Sequence, residues 1–288
     1  MNGMRYEAPS SVDEASALLA GASGETRVLA GGTDLLVQLR SGMVAPELVV
    51  DVKKIKEMMT YSVSDGAYTI GAAVPSAQLH EDADLLGMWT GVVEAMDLVG
   101  STQIQGRASL GGNLCNASPA ADSVPAMISA GAVCTVAGPN GRRDVPVEEI
   151  CTGPGQTSLA KGEIVVTINL PKQAPRTGDA YLRFIPRTEM DIAVVGVGVC
   201  LTLDEGGTCT DARVSLGAVA PTALLVKECA DALVGTKVDD AAMANLDAAA
   251  RAAASPIDDK RGTVEFRTKV SGVLARRAAA IALERAGS

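Results

Sequence analysis

One histidine, no C-x-x-C pair and no apolar run long enough to cross a bilayer leave several kinds of chemistry without the residues they need. His80 is the only histidine among 288 residues, which excludes a multi-histidine metal centre. A Ser-His-Asp arrangement would depend on that one ring, and no nucleophile elbow accompanies it. Within SAQLHEDADLL it reads as a helix-surface residue. The six cysteines, Cys115, Cys134, Cys151, Cys200, Cys209 and Cys229, stand apart. Their spacing points to neither an iron-sulfur cluster nor a structural zinc site within this chain, and most are expected as small buried apolar residues. Basic residues are also in deficit, 25 against 34 acidic ones for a net charge of -9. Nucleic acid is therefore excluded as the main partner, because phosphate binding needs a concentrated basic surface. The runs KKIK at 53–56 and GRR at 141–143 read as solvated strand or turn ends. The opening MNGMRYEAPSSVDEASALLA carries early acids and no uninterrupted apolar region, so it does not read as a signal peptide. Without a membrane span the expected location is cytoplasmic.

What is present is enough apolar sequence for one large or two modest domains. In SSVDEASALLA, Ser11 and Glu14 fit a capping box at the start of a helix. RVLA reads as a strand, GGTDLLVQLRSG as a tight turn and a helix from about Thr33 to a stop at Gly42, and ELVVDV as another strand. Together they form a small α/β unit with parallel pairing. From Tyr68 the pattern becomes α+β: YTIGAAV as strand, SAQLHEDADLL and WTGVVEAMDLVG as helices, DSVPAMISAGAVCTVAG as helix then strand, and EIVVTINLP as strand. GPNG at 138–141 is a turn. KQAPRTGD, residues 172–179, is the linker candidate, since it follows Pro171 and combines a further proline with charge and no periodicity. Long strands follow in YLRFIP, IAVVGVGVCLTL and CTDARVSLGAV, with DEGG as a hairpin turn, and then alanine-rich helices. The reading is a domain over 1–175, with subdomains of about 1–55 and 56–175, followed by a C-terminal domain of antiparallel strands and helices over 176–288.

Two short segments share a form. AGGTD at 30–34 and SLGGN at 109–113 each carry a small residue, two glycines and a polar residue. Glycine turns that line up successive N–H groups make concave anion-binding nests, and a helix starting after the first would add ~0.3–1 kcal/mol of dipole attraction. Side chains at Gly31, Gly32, Gly111 or Gly112 would block that approach, and a diphosphate is the natural guest. Neither segment is a G-x-G-x-x-G fingerprint or a P-loop. Asn113, Asn116, Ser118 and Asp122 offer polar contacts to ribose or phosphate, and Asp122 can equally cap the helix that follows.

LAGGTDLL, QIQGRASLGGNLCNASPAAD, RTEMDIAVVGVGV and RGTVEFRTKVSGVLARRA occur in that order over nearly the whole chain. In combination they resemble the FAD-binding medium subunit of the molybdenum hydroxylases, the family of aerobic carbon monoxide dehydrogenase and xanthine dehydrogenase. The resemblance implies that Val28, Leu29, Ala30, Gly31, Gly32, Thr33, Asp34 and Leu35 form a first FAD phosphate loop. Ser109, Leu110, Gly111, Gly112 and Asn113 would form a second, with Asp122 as a further polar contact. It places Val165 and Arg183 toward the flavin ring and Asp191 and Ile192 beside the ring's reactive edge. Arg183 departs from the family's common lysine, and Gln105 stands where many members have arginine, with Arg107 two positions on. With one Trp, four Tyr and two Phe, extensive aromatic stacking on a flavin is not expected.

The implied function is an electron relay. Substrate is oxidised at a molybdenum cofactor in a large molybdopterin subunit, electrons cross two-iron two-sulfur clusters in a small subunit, and FAD in this chain delivers them to an external acceptor. The assembly implied is a dimer of heterotrimers, and this chain needs no catalytic base. Two rivals are a self-contained flavin reductase or oxidase, for which no acid, base or covalent flavin histidine is evident, and a flavin-free structural subunit whose glycine turns serve folding alone.

Overall fold

The computed structural model describes residues 3–188 and 190–287. Its first part is a parallel three-stranded sheet in the order β1-β3-β2, formed by β1 (Arg5–Glu7), β2 (Thr26–Leu29) and β3 (Leu48–Asp51). Crossovers through α1 (Val12–Gly21) and α2 (Leu35–Ser41) make the parallel pairing possible, since parallel strands cannot be joined by a tight hairpin. Helix α1 starts as the sequence leads one to expect. The Ser11 hydroxyl accepts the Glu14 N–H at 3.2 Å, and the Glu14 carboxylate accepts from the neighbouring Ser10 N–H rather than from Ser11 itself. Strand β1 has no counterpart in the sequence reading, because three exposed residues, RYE, carry no apolar alternation.

A second layer begins with α3 (Lys56–Met59) and builds an antiparallel sheet in the order β4-β5-β10-β6-β7. Its strands are β4 (Tyr61–Ser64), β5 (Ala67–Gly71), β6 (Val133–Gly138), β7 (Gly141–Pro146) and the central β10 (Ile164–Leu170), which is buried everywhere except Asn169. A two-stranded ribbon, β8 (Cys151–Gly153) with β9 (Gln156–Thr157), precedes β10. Between β5 and β6 run α4 (Ser76–His80), α5 (Ala83–Met88), α6 (Thr90–Asp97), α7 (Thr102–Gln105), α8 (Leu110–Cys115) and α9 (Ser123–Ser129). SAQLHEDADLL is thus two helices rather than one. The Asp82 carboxylate accepts the N–H groups of Asp84 and Leu85 and so starts a new helix where the first was expected to continue.

The last part is an antiparallel sheet in the order β11-β12-β13-β14, from β11 (Thr177–Phe184), β12 (Val195–Leu203), β13 (Cys209–Gly217) and β14 (Leu224–Leu225). It is covered by α10 (Lys227–Asp231) and α12 (Val264–Gly287), with α11 (Asp240–Ala253) packed against both helices. Ala275, Ala278, Ala279, Ala282 and Ala286 of α12 are buried, and the helix lies against β11 and β12, which small side chains let it approach closely. The expected linker is shorter than 172–179: Thr177, Gly178 and Asp179 already belong to β11, and Asp179 is buried. One apolar core runs from Val12 to Leu170 and takes in Tyr181, and a second runs from Ala180 to Ala286. Helix α9 joins them, giving Val124, Met127 and Ile128 to the first core while lying against β12 and β13. Among the described residues no helix is long and apolar enough to cross a membrane.

Candidate functional site

The loop after β2 and the start of α8 meet at a cleft of about 420 Å³. It is lined by Val28, Ala30, Gly31, Gly32, Thr33, Asp34 and Leu35 of the first segment, by Ser109, Gly111, Gly112 and Asn113 of the second, and by Val165 of β10. The two glycine segments touch. A Cβ built on Gly31 would fall 1.8 Å from the Arg107 carbonyl oxygen, so only glycine lets the chains pass. Gly32 follows at φ 77°, a left-handed conformation that other residues enter at a cost. Farther along, the Gln38 amide donates to the Asn116 side-chain oxygen at 3.0 Å and ties α2 to the end of α8.

The first segment supplies the donors. Among the described residues, the backbone N–H groups of Gly31, Gly32, Thr33 and Asp34 find no acceptor, and they are consecutive. Consecutive unspent N–H groups beside a left-handed turn make an anion seat. Asp34 makes no ion pair among the described residues, and desolvation pushes its carboxyl up from the ordinary value.

The second segment is built differently from the open turn expected. Ser109 to Asn113 begin a helix: the Ser109 hydroxyl caps it by accepting the Gly112 N–H at 3.1 Å, and Asn113 N–H returns to the Ser109 carbonyl. The Gly111 N–H is also spent, on the Ala72 carbonyl at 3.1 Å. A Cβ at Gly111 would lie 2.5 Å from that oxygen, so glycine is required there to seat α8 on the end of β5. At Gly112 the built Cβ meets a single neighbour, the Ser109 hydroxyl at 3.0 Å, so the crowding there is less than at Gly111. The Asn113 side-chain oxygen accepts from the N–H and hydroxyl of Ser123.

Six of the expected site residues lie off the cleft wall. Leu29 belongs to β2 and Leu110 is core. Asp122 and Arg183 are buried on each other at 2.8 Å, and Asp122 also accepts from the Tyr181 hydroxyl at 2.9 Å. Burial pushes the Asp122 carboxyl up to about 6 in spite of Arg183. Asp122 does not cap α9 with its side chain. Asp191 is held by Arg187 and Arg261, and chiefly the Arg187 hydrogen bond holds its carboxyl well below the usual range. Ile192 beside it is half exposed. His80 pairs with Asp97 at 2.8 Å on the surface, as its place in the sequence implies. Gln105 donates to the Asp97 carbonyl, away from the cleft wall.

The sequence reading passed over Gln38, Tyr6 and Asp51 and read Lys53 only as part of a solvated strand end, and Cys115, unlike most of the cysteines, is exposed and lines the cleft. Lys53 donates to the Ala30 carbonyl at 3.1 Å and to Asp51 at 2.7 Å. KKIK is thus more than a solvated strand end, a role that no local charge pattern reveals.

This fold and cleft define a class. Residues 2–173 match the FAD binding domain in molybdopterin dehydrogenase, and residues 180–282 the CO dehydrogenase flavoprotein C-terminal domain. The chain belongs to that family, the FAD-binding subunits of the carbon monoxide and xanthine dehydrogenase type, which form part of multi-subunit oxidoreductases. More particularly, it is 33% identical to the carbon monoxide dehydrogenase medium chain of Afipia carboxidovorans over 98% of this chain and 97% of that one. Its structure matches a reconstituted CO dehydrogenase from Oligotropha carboxidovorans with a TM-score of 0.93 at 32% identity, over 98% of each chain. It also matches quinoline 2-oxidoreductase from Pseudomonas putida 86, with a TM-score of 0.90 at 27% identity over 99% of this chain and 98% of that one.

The residues present fit the family's cofactor. Four consecutive N–H donors suit a diphosphate, and Val28, Val52, Met58, Val99 and Val165 supply apolar wall for the aromatic parts of FAD.

Proposed function

We propose that this chain holds FAD in the cleft, its diphosphate on the N–H groups of Gly31 to Asp34, and works as the electron-transfer subunit of a molybdenum hydroxylase. The observation that carries the reading is the row of unspent donors at the cleft. FAD, when bound, supplies a redox centre able to exchange electrons singly or in pairs. The chain's own residues bind and orient it. The backbone takes the phosphate charge, Gly112 leaves room beside the capped start of α8, and Gln38 with Asn116 restricts the far end. No general acid or base is required. The partners are a small iron-sulfur subunit that delivers electrons and a large molybdopterin subunit that oxidises the substrate, in a dimer of heterotrimers with an external electron acceptor.

The test is the visible spectrum of the purified chain, alone and co-purified with its partner subunits, with mass analysis of what denaturation releases. Released FAD, with iron-sulfur and molybdenum signals only in the complex, is the expected result. A colourless chain whose stability ignores added FAD would refute the assignment, because a ligand that binds the native state must stabilise it. Gly112→Val locates the site: it should keep its fold, since residues with side chains are ordinary three positions after a helix cap, and lose FAD.

A further inference from the structure

The Gly31 N–H, an unspent donor at the cleft, belongs to a peptide unit whose other end is held by an ammonium group. Lys53 lies in the short turn after β3, and its Nζ donates to the Ala30 carbonyl oxygen at 3.1 Å. Its second acceptor is the Asp51 carboxylate at 2.7 Å, which also takes the Tyr6 hydroxyl at 2.5 Å. Burial alone would push the Asp51 carboxyl up, but the hydrogen bonds from Lys53 and Tyr6 hold it below its ordinary value. The cluster draws on all three strands of the parallel sheet at or near their carboxyl ends, the end of such sheets where ligands bind.

The Ala30 carbonyl and the Gly31 N–H belong to one planar trans peptide and therefore point in opposite directions. An ammonium that fixes the carbonyl on one side aims the N–H to the other. By drawing electron density toward the carbonyl oxygen it also strengthens that N–H as a donor, since hydrogen bonds in a chain polarise one another. Lys53 itself does not line the cleft.

Resting on the proposed seating of the diphosphate, we infer that Lys53 is a positioning residue for phosphate recognition, acting through the Ala30–Gly31 peptide, with Asp51 and Tyr6 fixing its ammonium. The effect is confined to ligands that carry phosphate.

Calorimetry on the flavin-free full chain with ADP and adenosine as probes tests this directly. Lys53→Met keeps the aliphatic stem and removes the ammonium. It should weaken ADP about tenfold or more and leave adenosine unchanged, a selectivity that any fall in melting temperature from leaving Asp51 without its cation would not produce. Lys53→Arg, which restores a cationic donor, should recover part of the ADP affinity. Equal weakening of ADP and adenosine, unchanged ADP binding, or a fall in affinity that only follows a fall in melting temperature would overturn the inference. Should Lys53→Met fail to fold, the exposed Tyr6→Phe decides the matter: a selective loss for ADP supports the role, and no selective loss refutes it. A wild-type chain that binds neither ADP nor FAD would instead refute the reading of the cleft, and this inference with it.

Discussion

Asp179 is a carboxylic acid sealed into the junction between α6 and β11, 4% exposed, with its Oδ2 accepting the Gly91 N–H at 2.9 Å. Burial pushes its carboxyl up to about 7, although Arg285 is near; that guanidinium is shared between Glu94 and the Asp179 carbonyl. The unfolded chain releases the same proton near ~4, so between these values the folded chain holds more protons. The native state therefore loses stability as pH rises from about 4 through 7, with a slope approaching about 1.4 kcal/mol per pH unit from this group. Denaturant melts across that window should show the slope, and Asp179→Asn, which keeps the acceptor and discards the charge, should flatten it. Nothing local in RTGDAYL announces the role, because the groups that bury Asp179 come from α6 and α12. Arg267, 4% exposed, is a similar case: it donates to the Val194 and Ala218 carbonyls and pairs with Asp259.

At the scale of elements, two identical dipeptides have come to mean different things. Gly31-Gly32 opens a loop and leaves its N–H groups unspent, whereas Gly111-Gly112 sits in the first turn of α8 with both N–H groups used. Gly111→Ala should cost about 1–3 kcal/mol with or without ligand, because its methyl would enter the Ala72 backbone. Gly112→Ala should cost less than Gly111→Ala, since alanine favours the helix by about 1 kcal/mol and its methyl crowds only the Ser109 hydroxyl at 3.0 Å. Thermal melts of the two variants side by side distinguish a packing glycine from a clearance glycine. The sequence made the clustering of glycines legible, along with the cap of α1, the strand-loop-helix after Thr26 and the buried run of β10. It hid how each pair is used, since that depends on Ala72 and Arg107, which the chain brings up from other segments. It likewise hid the break at Asp82, where a capping side chain overrides helix periodicity.

For the molecule as a whole, the contact between Asp122 and Arg183 matters most, because it bridges the segment entering α9 and the C-terminal sheet across 61 residues of sequence. Both side chains are nearly sealed, 9% and 5% exposed, and Tyr181 completes the group. A buried pair of this kind adds little net stability over an apolar substitute, but an unpartnered half is costly. Arg183→Met should therefore destabilise the chain by about 3–5 kcal/mol in urea unfolding, and Asp122→Leu combined with Arg183→Met should recover much of that. Additive losses in the double variant would deny the coupling. Order along the chain could place these motifs in a family, but not reveal that two residues taken for separate ligand contacts hold each other.

The row of peptide donors from Gly31 to Asp34 has a last consequence. Amide hydrogens do not titrate in the range where proteins remain folded, and side-chain modification does not reach them. A phosphate held there is released, short of unfolding, only through the groups that aim the peptides, Lys53 with Asp51 and Tyr6 at the Ala30 carbonyl. Acidification should leave the bound anion in place until the Asp51 carboxylate, held below its ordinary value, takes a proton and loosens Lys53, so ligand loss, followed beside unfolding on one sample, should begin no earlier than that.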